Sequence, residues 1–135
     1  TIHPSSLHGI RIDASDCPDL VPILSVAAAL AKGTTEIIHA ERLRLKECDR
    51  LKAMASELTK MGAHVEERPD GLIIRGVPML HGAGADSWND HRVAMSLAIA
   101  ATRSDGPVIL TGSESVQKSY PQFWQDYESL GGKIK

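Results

Sequence analysis

Few features of this sequence connect it to metals, membranes or nucleic acids. It has only two cysteines, Cys17 and Cys48, with no Cys-x-x-Cys spacing, which argues against a disulfide framework or a zinc knuckle and suits reduced cytoplasmic thiols. The histidines His3, His8, His39, His64, His81 and His91 are scattered with no His-x-x-x-His pair, so no metal is expected. No Gly-x-Gly-x-x-Gly run occurs, and Ser5, Ser6 and Ser113 lack a glycine elbow. The longest apolar stretch, LVPILSVAAALA (20–31), has 12 residues, short of the roughly 20 that span a bilayer. Residues 1–18 carry three charges and no long apolar run, unlike a signal peptide. Basic excess is also missing: the net charge is −2, which argues against nucleic acid or a membrane surface as partner. Any anion site must therefore be local.

What is present is one core's worth of apolar residues, 42% of 135, enough for a single globular unit. A start at Thr1 without methionine is expected of a piece of something longer. Periodicity predicts a strand over 9–14, a helix over about 19–32, a strand over 34–40 and a helix over about 48–61. AHVEE and LIIRGV, joined by Pro69-Asp70-Gly71, read as a hairpin. A helix over about 90–103, a strand over 107–112, a helix over about 120–131 and a final strand GKIK complete the order. LVPILSVAAALA and VAMSLAIAA are apolar nearly all round, which suggests enclosed helices. The helix after Asp49 has one stripe, Leu51, Met54, Ala55, Leu58 and Met61, with Lys52, Glu57 and Lys60 outward.

The halves agree at an offset near 72. Asp19 falls on Asp90, Ser25 on Ser96, Ala29 on Ala100, Lys46 on Lys118, Leu51 on Phe123 and Leu58 on Leu130. This predicts an α/β fold of repeated β-α-β-α-β-β units, with 1–135 a single domain holding units of about 7–78 and 79–135.

Basic residues recur where helices begin, although a helix N-terminus disfavours them by a few tenths of a kcal/mol. In RLKECDRL (44–51) Lys46 and Arg50 bracket a helix start, and an i, i+4 like-charge pair costs about 0.2 to 0.5 kcal/mol. His91 and Arg92 follow Asn89-Asp90, and Lys118 precedes Ser119-Tyr120-Pro121-Gln122, a Ser-x-x-Gln capping-box pattern. Local rules broken at equivalent places suggest a site. An anion there would reverse the balance, because helix N-termini favour phosphates and carboxylates. Arg44, Lys46 and Arg50 are expected to converge on such an anion, or else Glu47 and Asp49 neutralise them on a solvated face. Asp19, Asp49 and Asp90 stand where N-caps are expected. Glu47, between two cations, is a candidate proton carrier.

RLKECDRLKAMASELTKMGAHVEE, NDHRVAMSLAIAA and QKSYPQFWQDYESLGG, in that order, resemble the C-terminal part of the enolpyruvylshikimate phosphate synthase family, with its Lys-Glu-x-Asp-Arg, Asp-His-Arg-x-Ala-Met and Lys-(Ser/Thr)-(Tyr/Phe)-Pro motifs. CPDLVPILSVAAALAKGTT resembles its Pro-Asp helix. The resemblance implies an inside-out α/β prism of which this chain is about two of the three units of one domain. It also implies a transferase that moves the enolpyruvyl group of phosphoenolpyruvate to the 5-hydroxyl of shikimate 3-phosphate without a cofactor, in a pocket that also takes glyphosate. Carried over, Asp19 takes the hydroxyl proton, and Glu47 and Lys118 handle the enol methylene and bridging oxygen. Arg50, Arg92 and Lys118 hold phosphoenolpyruvate, while Lys46 and Asp19 reach shikimate 3-phosphate. Asp49, Asp90 and His91 support them. Arg42 stands where many members have Asn, which puts one substrate contact in doubt. The remaining part of the enzyme chain is an implied partner, without which the fragment is expected to be inactive. Two alternatives stay open: a UDP-N-acetylglucosamine enolpyruvyl transferase-like domain, and a non-catalytic anion-binding module.

Overall fold

A computed structural model describes all residues, 1–135. The chain runs β1 (Arg11–Asp13), a 3-10 turn (Pro18–Leu20), α1 (Val21–Ala29), β2 (Thr34–Ile38), a 3-10 turn (Glu41–Leu45), α2 (Arg50–Lys60), β3 (His64–Arg68) and β4 (Gly71–Arg75). It continues through β5 (Gly84–Asp86), α3 (His91–Ala101), β6 (Ile109–Thr111), a 3-10 turn (Ser113–Lys118) and α4 (Phe123–Ser129).

Four strands form one sheet in the order β1-β2-β4-β3, with β1 parallel to β2 and the other pairs antiparallel. Pro69 and Asp70 turn the expected β3–β4 hairpin, whose last pair is Arg68 with Gly71. Gly71 is required by close approach: an added Cβ would lie 1.8 Å from the Ile37 carbonyl oxygen, so β2 reaches β4 only because no side chain intervenes. A second, two-stranded sheet pairs β5 parallel to β6. The two parallel pairs share a register. Arg11 faces Glu36 and Gly84 faces Ile109, and the flanking bridges His8–Lys32 and Leu80–Ser104 fall at the same interval from each other.

Each parallel pair is joined by a helix, α1 or α3, as a parallel crossover demands. These two helices pack on each other and on α2. Val21, Val26, Ala28 and Ala29 of α1, Val93 and Leu97 of α3, and Leu51, Met54 and Leu58 of α2 share one core with Ile37, Leu72 and Ile74 of the sheet. A smaller cluster of Ala94, Ala98, Val116 and Phe123 seats α4.

Several expectations are corrected. α1 and α3 are not enclosed on every side, since Ile23 is 39% and Ile99 41% exposed. The stripe of α2 is buried as expected, and Lys52 and Lys60 face out, but Glu57 is only 1% exposed. GKIK forms no strand, because no neighbouring strand lies alongside to satisfy its backbone groups. The Ser-x-x-Gln pattern makes no capping box. α4 begins later, after Gln122, with no side-chain cap. α2 begins at Arg50, leaving Lys46 outside the helix, so no like-charge i, i+4 pair exists.

Candidate functional site

Asp90 and Asp49 place the starts of two helices. Asp90 accepts from the Arg92 and Val93 amides and caps α3; Asp49 accepts from the Lys52 amide and caps α2. Each satisfies backbone donors that the first helical turn leaves free. Asp19 lies in the 3-10 turn that leads into α1 and caps nothing. With three helices starting side by side, their partial positive charges fall in one region.

The side chains at those starts are in contact. Arg50 Nε donates to Asp90 Oδ2 at 2.8 Å and Nη2 donates to Glu47 Oε2 at 2.6 Å. Its Nη1 donates to Asp19 Oδ1 at 3.1 Å. Lys46 Nζ lies 3.2 Å from the same Asp19 oxygen, and Arg92 Nη2 lies 3.9 Å from Asp19 Oδ2. Arg92 Nη1 also donates to the Asp19 carbonyl at 3.4 Å. His91 Nε2 approaches Glu47 Oε1 at 3.6 Å, while its Nδ1 bonds the Ser119 hydroxyl. Lys118 Nζ donates to the Asn89 carbonyl.

The structure thus brings together Asp19, Lys46, Glu47, Arg50, Asp90, His91, Arg92 and Lys118. Lys46, Arg50 and Arg92 face three carboxylates and Lys118 stands beside them at the Asn89 carbonyl, a local positive surplus within a chain of net charge −2. Arg44 is not among them, which corrects the expected convergence of Arg44 with Lys46 and Arg50. It donates to Asp49 and Glu67, both at 2.8 Å, and to the Pro69 and Arg68 carbonyls, clamping the β3–β4 hairpin. Asp49 is committed to that clamp and to its cap. Arg42 reaches only the Ser15 carbonyl, at 3.5 Å.

The electrostatics divide the site into a fixed floor and an open rim. Burial opposes ionisation of Asp90, yet the hydrogen bond and charge of Arg50 and two backbone amides outweigh it and lower its pKa. Arg50 is likewise raised: burial works against its charge, and the Asp90 bond prevails. Burial, followed by the Asp90 charge, pushes the Cys48 thiol up to about 12. Cys48 therefore stays protonated, with Sγ 3.5 Å from Asp90 Oδ2, and is no nucleophile. On the rim, slight burial of Asp19 is outweighed by the Lys46 hydrogen bond and by the charges of Lys46, Arg92 and Arg50, so its pKa is lowered. Lys46, Arg92 and Lys118 retain solvent contact and donors to spare for an anion.

Glu47, Asp90 and His91 present ligand atoms within 4.8 Å of one another. The guanidinium of Arg50 already occupies the two carboxylates, so a metal ion there would have to displace it. Sequence reasoning missed Glu57, whose buried carboxylate accepts from Trp88 Nε1 at 2.9 Å and from the Asp86 amide at 3.0 Å. It also missed three left-handed residues, His39 (φ 57°) and the adjacent Trp88 (φ 55°) and Asn89 (φ 52°), each costing about 1 to 3 kcal/mol unless the surroundings hold it. Trp88 adjoins NDHR and Asn89 opens it, the only local signal available.

A family model described as EPSP synthase (3-phosphoshikimate 1-carboxyvinyltransferase) matches residues 1–127. Among curated relatives, proteins named 3-phosphoshikimate 1-carboxyvinyltransferase from Clostridium novyi and Clostridium acetobutylicum are each 62% identical over 130 residues, 96% of this chain and 30% of theirs. A solved EPSP synthase from Acinetobacter baumannii superposes with a TM-score of 0.88 at 35% identity, covering 96% of this chain and 32% of that one. The chain spans about 30% of the length of the curated relatives it matches.

Proposed function

The chain belongs to the EPSP synthase family, and from that premise we propose that it supplies the phosphoenolpyruvate side of an enolpyruvyl transferase site. Its fold is a fragment of the enolpyruvyl transferase fold. We take 1–135 as part of one domain, with 7–78 and 79–135 two copies of one unit. The matching registers of β1–β2 and β5–β6 support the duplication. No helix is long and apolar enough to cross a membrane, and the free thiols Cys17 and Cys48 suit a cytoplasmic setting.

The observation that carries the reading is the convergence of Lys46, Arg50 and Arg92 on Asp19 at the start of α1. Phosphoenolpyruvate brings a carboxylate and a phosphate. Arg92 and Lys118 are exposed enough to meet them, and Arg50, locked by Asp90, supplies a fixed positive charge below. Lys46 and Asp19 then face shikimate 3-phosphate. Asp19 receives the proton of the 5-hydroxyl as the hydroxyl oxygen bonds to C2 of phosphoenolpyruvate, while a proton is added at C3 to give a tetrahedral intermediate. Glu47 and Lys118 divide the transfers at C3 and the bridging oxygen. Loss of the C3 proton with departure of phosphate restores the double bond. General acid–base groups of this kind contribute about 10² to 10⁴ in rate.

Substrate loading also adjusts Asp19. The cations that lower its pKa are those that the anions recruit, so binding weakens their hold on the carboxylate and makes it a better base. The test is a chemical-shift titration of the labelled chain with phosphoenolpyruvate or glyphosate. Lys46, Arg50, Arg92 and Lys118 should move together, and no movement up to millimolar ligand would refute the reading in favour of a scaffold. Turnover should require the remainder of the enzyme, and synthase activity of the isolated chain would refute that requirement.

A further inference from the structure

Glu57 sits two turns beyond Arg50 on α2, on the same face, and its side chain is 1% exposed. A buried carboxylate is costly unless its oxygens are bonded, and here both are. Oε1 accepts from Trp88 Nε1 at 2.9 Å, Oε2 accepts from the Asp86 amide at 3.0 Å, and Lys60 Nζ lies 3.0 Å from each. Lys60 is itself half exposed. The other two partners belong to the segment that leads from β5 into α3.

That segment is conformationally expensive. Trp88 and Asn89 are consecutive non-glycine residues at φ 55° and 52°, a region that such side chains seldom adopt. Ser87 holds one side of it, donating to the Gly112 carbonyl at 2.9 Å and accepting from the Asn89 amide at 3.2 Å. Glu57 holds the other through the Trp88 ring. The unusual backbone has two products: the Asn89 carbonyl turns toward Lys118, and Asp90 is delivered to the start of α3 and to Arg50.

We propose that Glu57 is a positioning residue, which, through Trp88 and the left-handed Trp88-Asn89 turn, sets where Lys118 and the Arg50–Asp90 pair stand. The assignment rests on the transferase reading for its consequence in catalysis. It rests on geometry alone for its consequence in anion binding. A misplacement of about 1 Å in a positioned group costs about a hundredfold in rate, so a brace remote from the reacting atoms is enough to matter.

The experiment uses the full-length enzyme with Glu57→Gln, Trp88→Phe and both together, each verified as folded by circular dichroism at the assay temperature. Calorimetric titration with inorganic phosphate and steady-state kinetics are read in parallel. Positioning predicts that each single variant loses about tenfold to a hundredfold in kcat/KM for phosphoenolpyruvate, weakens phosphate binding, and leaves the KM for the second substrate unchanged. Because both variants break the same Glu57–Trp88 bond, the double variant should lose less than the two singles combined. Trp88→Phe keeps an aromatic ring, so the inference does not depend on Glu57→Gln folding. A lower melting temperature with unchanged kcat/KM and phosphate affinity, or losses that simply add, would overturn it. The unmodified enzyme and a Lys118→Met control separate the two claims. Absence of synthase activity in the unmodified enzyme would sink the transferase reading and full activity of Lys118→Met would release only Lys118 from it, while the phosphate titration would still decide the role of Glu57.

Discussion

Arg50 and Asp90 bond at 2.8 Å across 40 residues of sequence, Nε to Oδ2, joining the first turn of α2 to the cap of α3 with both side chains out of solvent. The pair fixes the angle between two helices and puts a permanent positive charge at the floor of the site. Removing one member of a buried pair costs about 3 to 5 kcal/mol when the other is left stranded, and here Glu47 and Asp19 would still hold Arg50. Asp90→Ala should therefore lower unfolding stability by less, about 1 to 3 kcal/mol for the lost bonds and cap. Asp90→Asn, which still accepts hydrogen bonds, should cost less. Urea unfolding measures both, and a loss under about 1 kcal/mol for Asp90→Ala would show that Glu47 and Asp19 suffice to hold Arg50.

Acid should loosen the same helices. Asp90 and Asp19 have lowered pKa values in the folded protein, through Arg50 and through Lys46 respectively, and Asp13 lies at about 2 through Ser15 and His39. A carboxylate depressed on folding binds fewer protons folded than unfolded, so its stabilisation is complete above the unfolded value of about 3.9 and lost as pH falls through the folded one. Melting temperature should be level above about pH 5 and decline below about pH 4. Asp90→Asn should flatten part of that decline, and a melting temperature that rises on acidification would contradict the assignment.

Much of this arrangement was legible, and the limits were physical. α2 and α3 could be read because a 3.6-residue period and an aspartate cap are local properties of the chain. Burial of Arg50 and Glu57 was not legible, because each owes it to a partner distant in sequence, Asp90 or Trp88, that no local pattern can indicate. Glu57 looked like an outward charge next to Lys60. β5 and β6 are three residues each, too short to show alternation, and GKIK alternated without a strand to pair with. The motifs identified the family, whereas composition and charge alone reached only a local anion site.

Arg92 and Lys118 should separate kinetically. The Arg92 side chain is part-exposed and contacts only Asp19, so the role proposed for it is to meet the anion. A hydrogen bond to a charged group is worth about 1.5 to 3 kcal/mol, which makes Arg92→Ala raise the KM for phosphoenolpyruvate by roughly ten- to a hundredfold with a smaller change in kcat. Lys118→Met should instead lower kcat by about 10² to 10⁴ if it moves a proton. Steady-state kinetics on the full-length enzyme distinguish the two. Equal effects on kcat from both variants would mean that Lys118 only binds.

Asp19→Asn should move binding and turnover in opposite directions. In the free protein the Asp19 carboxylate draws on Lys46, Arg50 and Arg92 together, so an incoming phosphate competes with it for the same donors. The amide carries no charge and releases them. Like charges at a partly exposed site oppose each other by up to about 1 kcal/mol, so the variant should bind inorganic phosphate or phosphoenolpyruvate up to about fivefold more tightly. It has also lost the group proposed to accept the hydroxyl proton, and kcat should fall by about 10² to 10⁴. Calorimetry on the full-length enzyme reads the first effect and single-turnover kinetics the second. Weaker anion binding would show that Asp19 organises the cations more than it competes with them, and an unchanged kcat would remove it as the base.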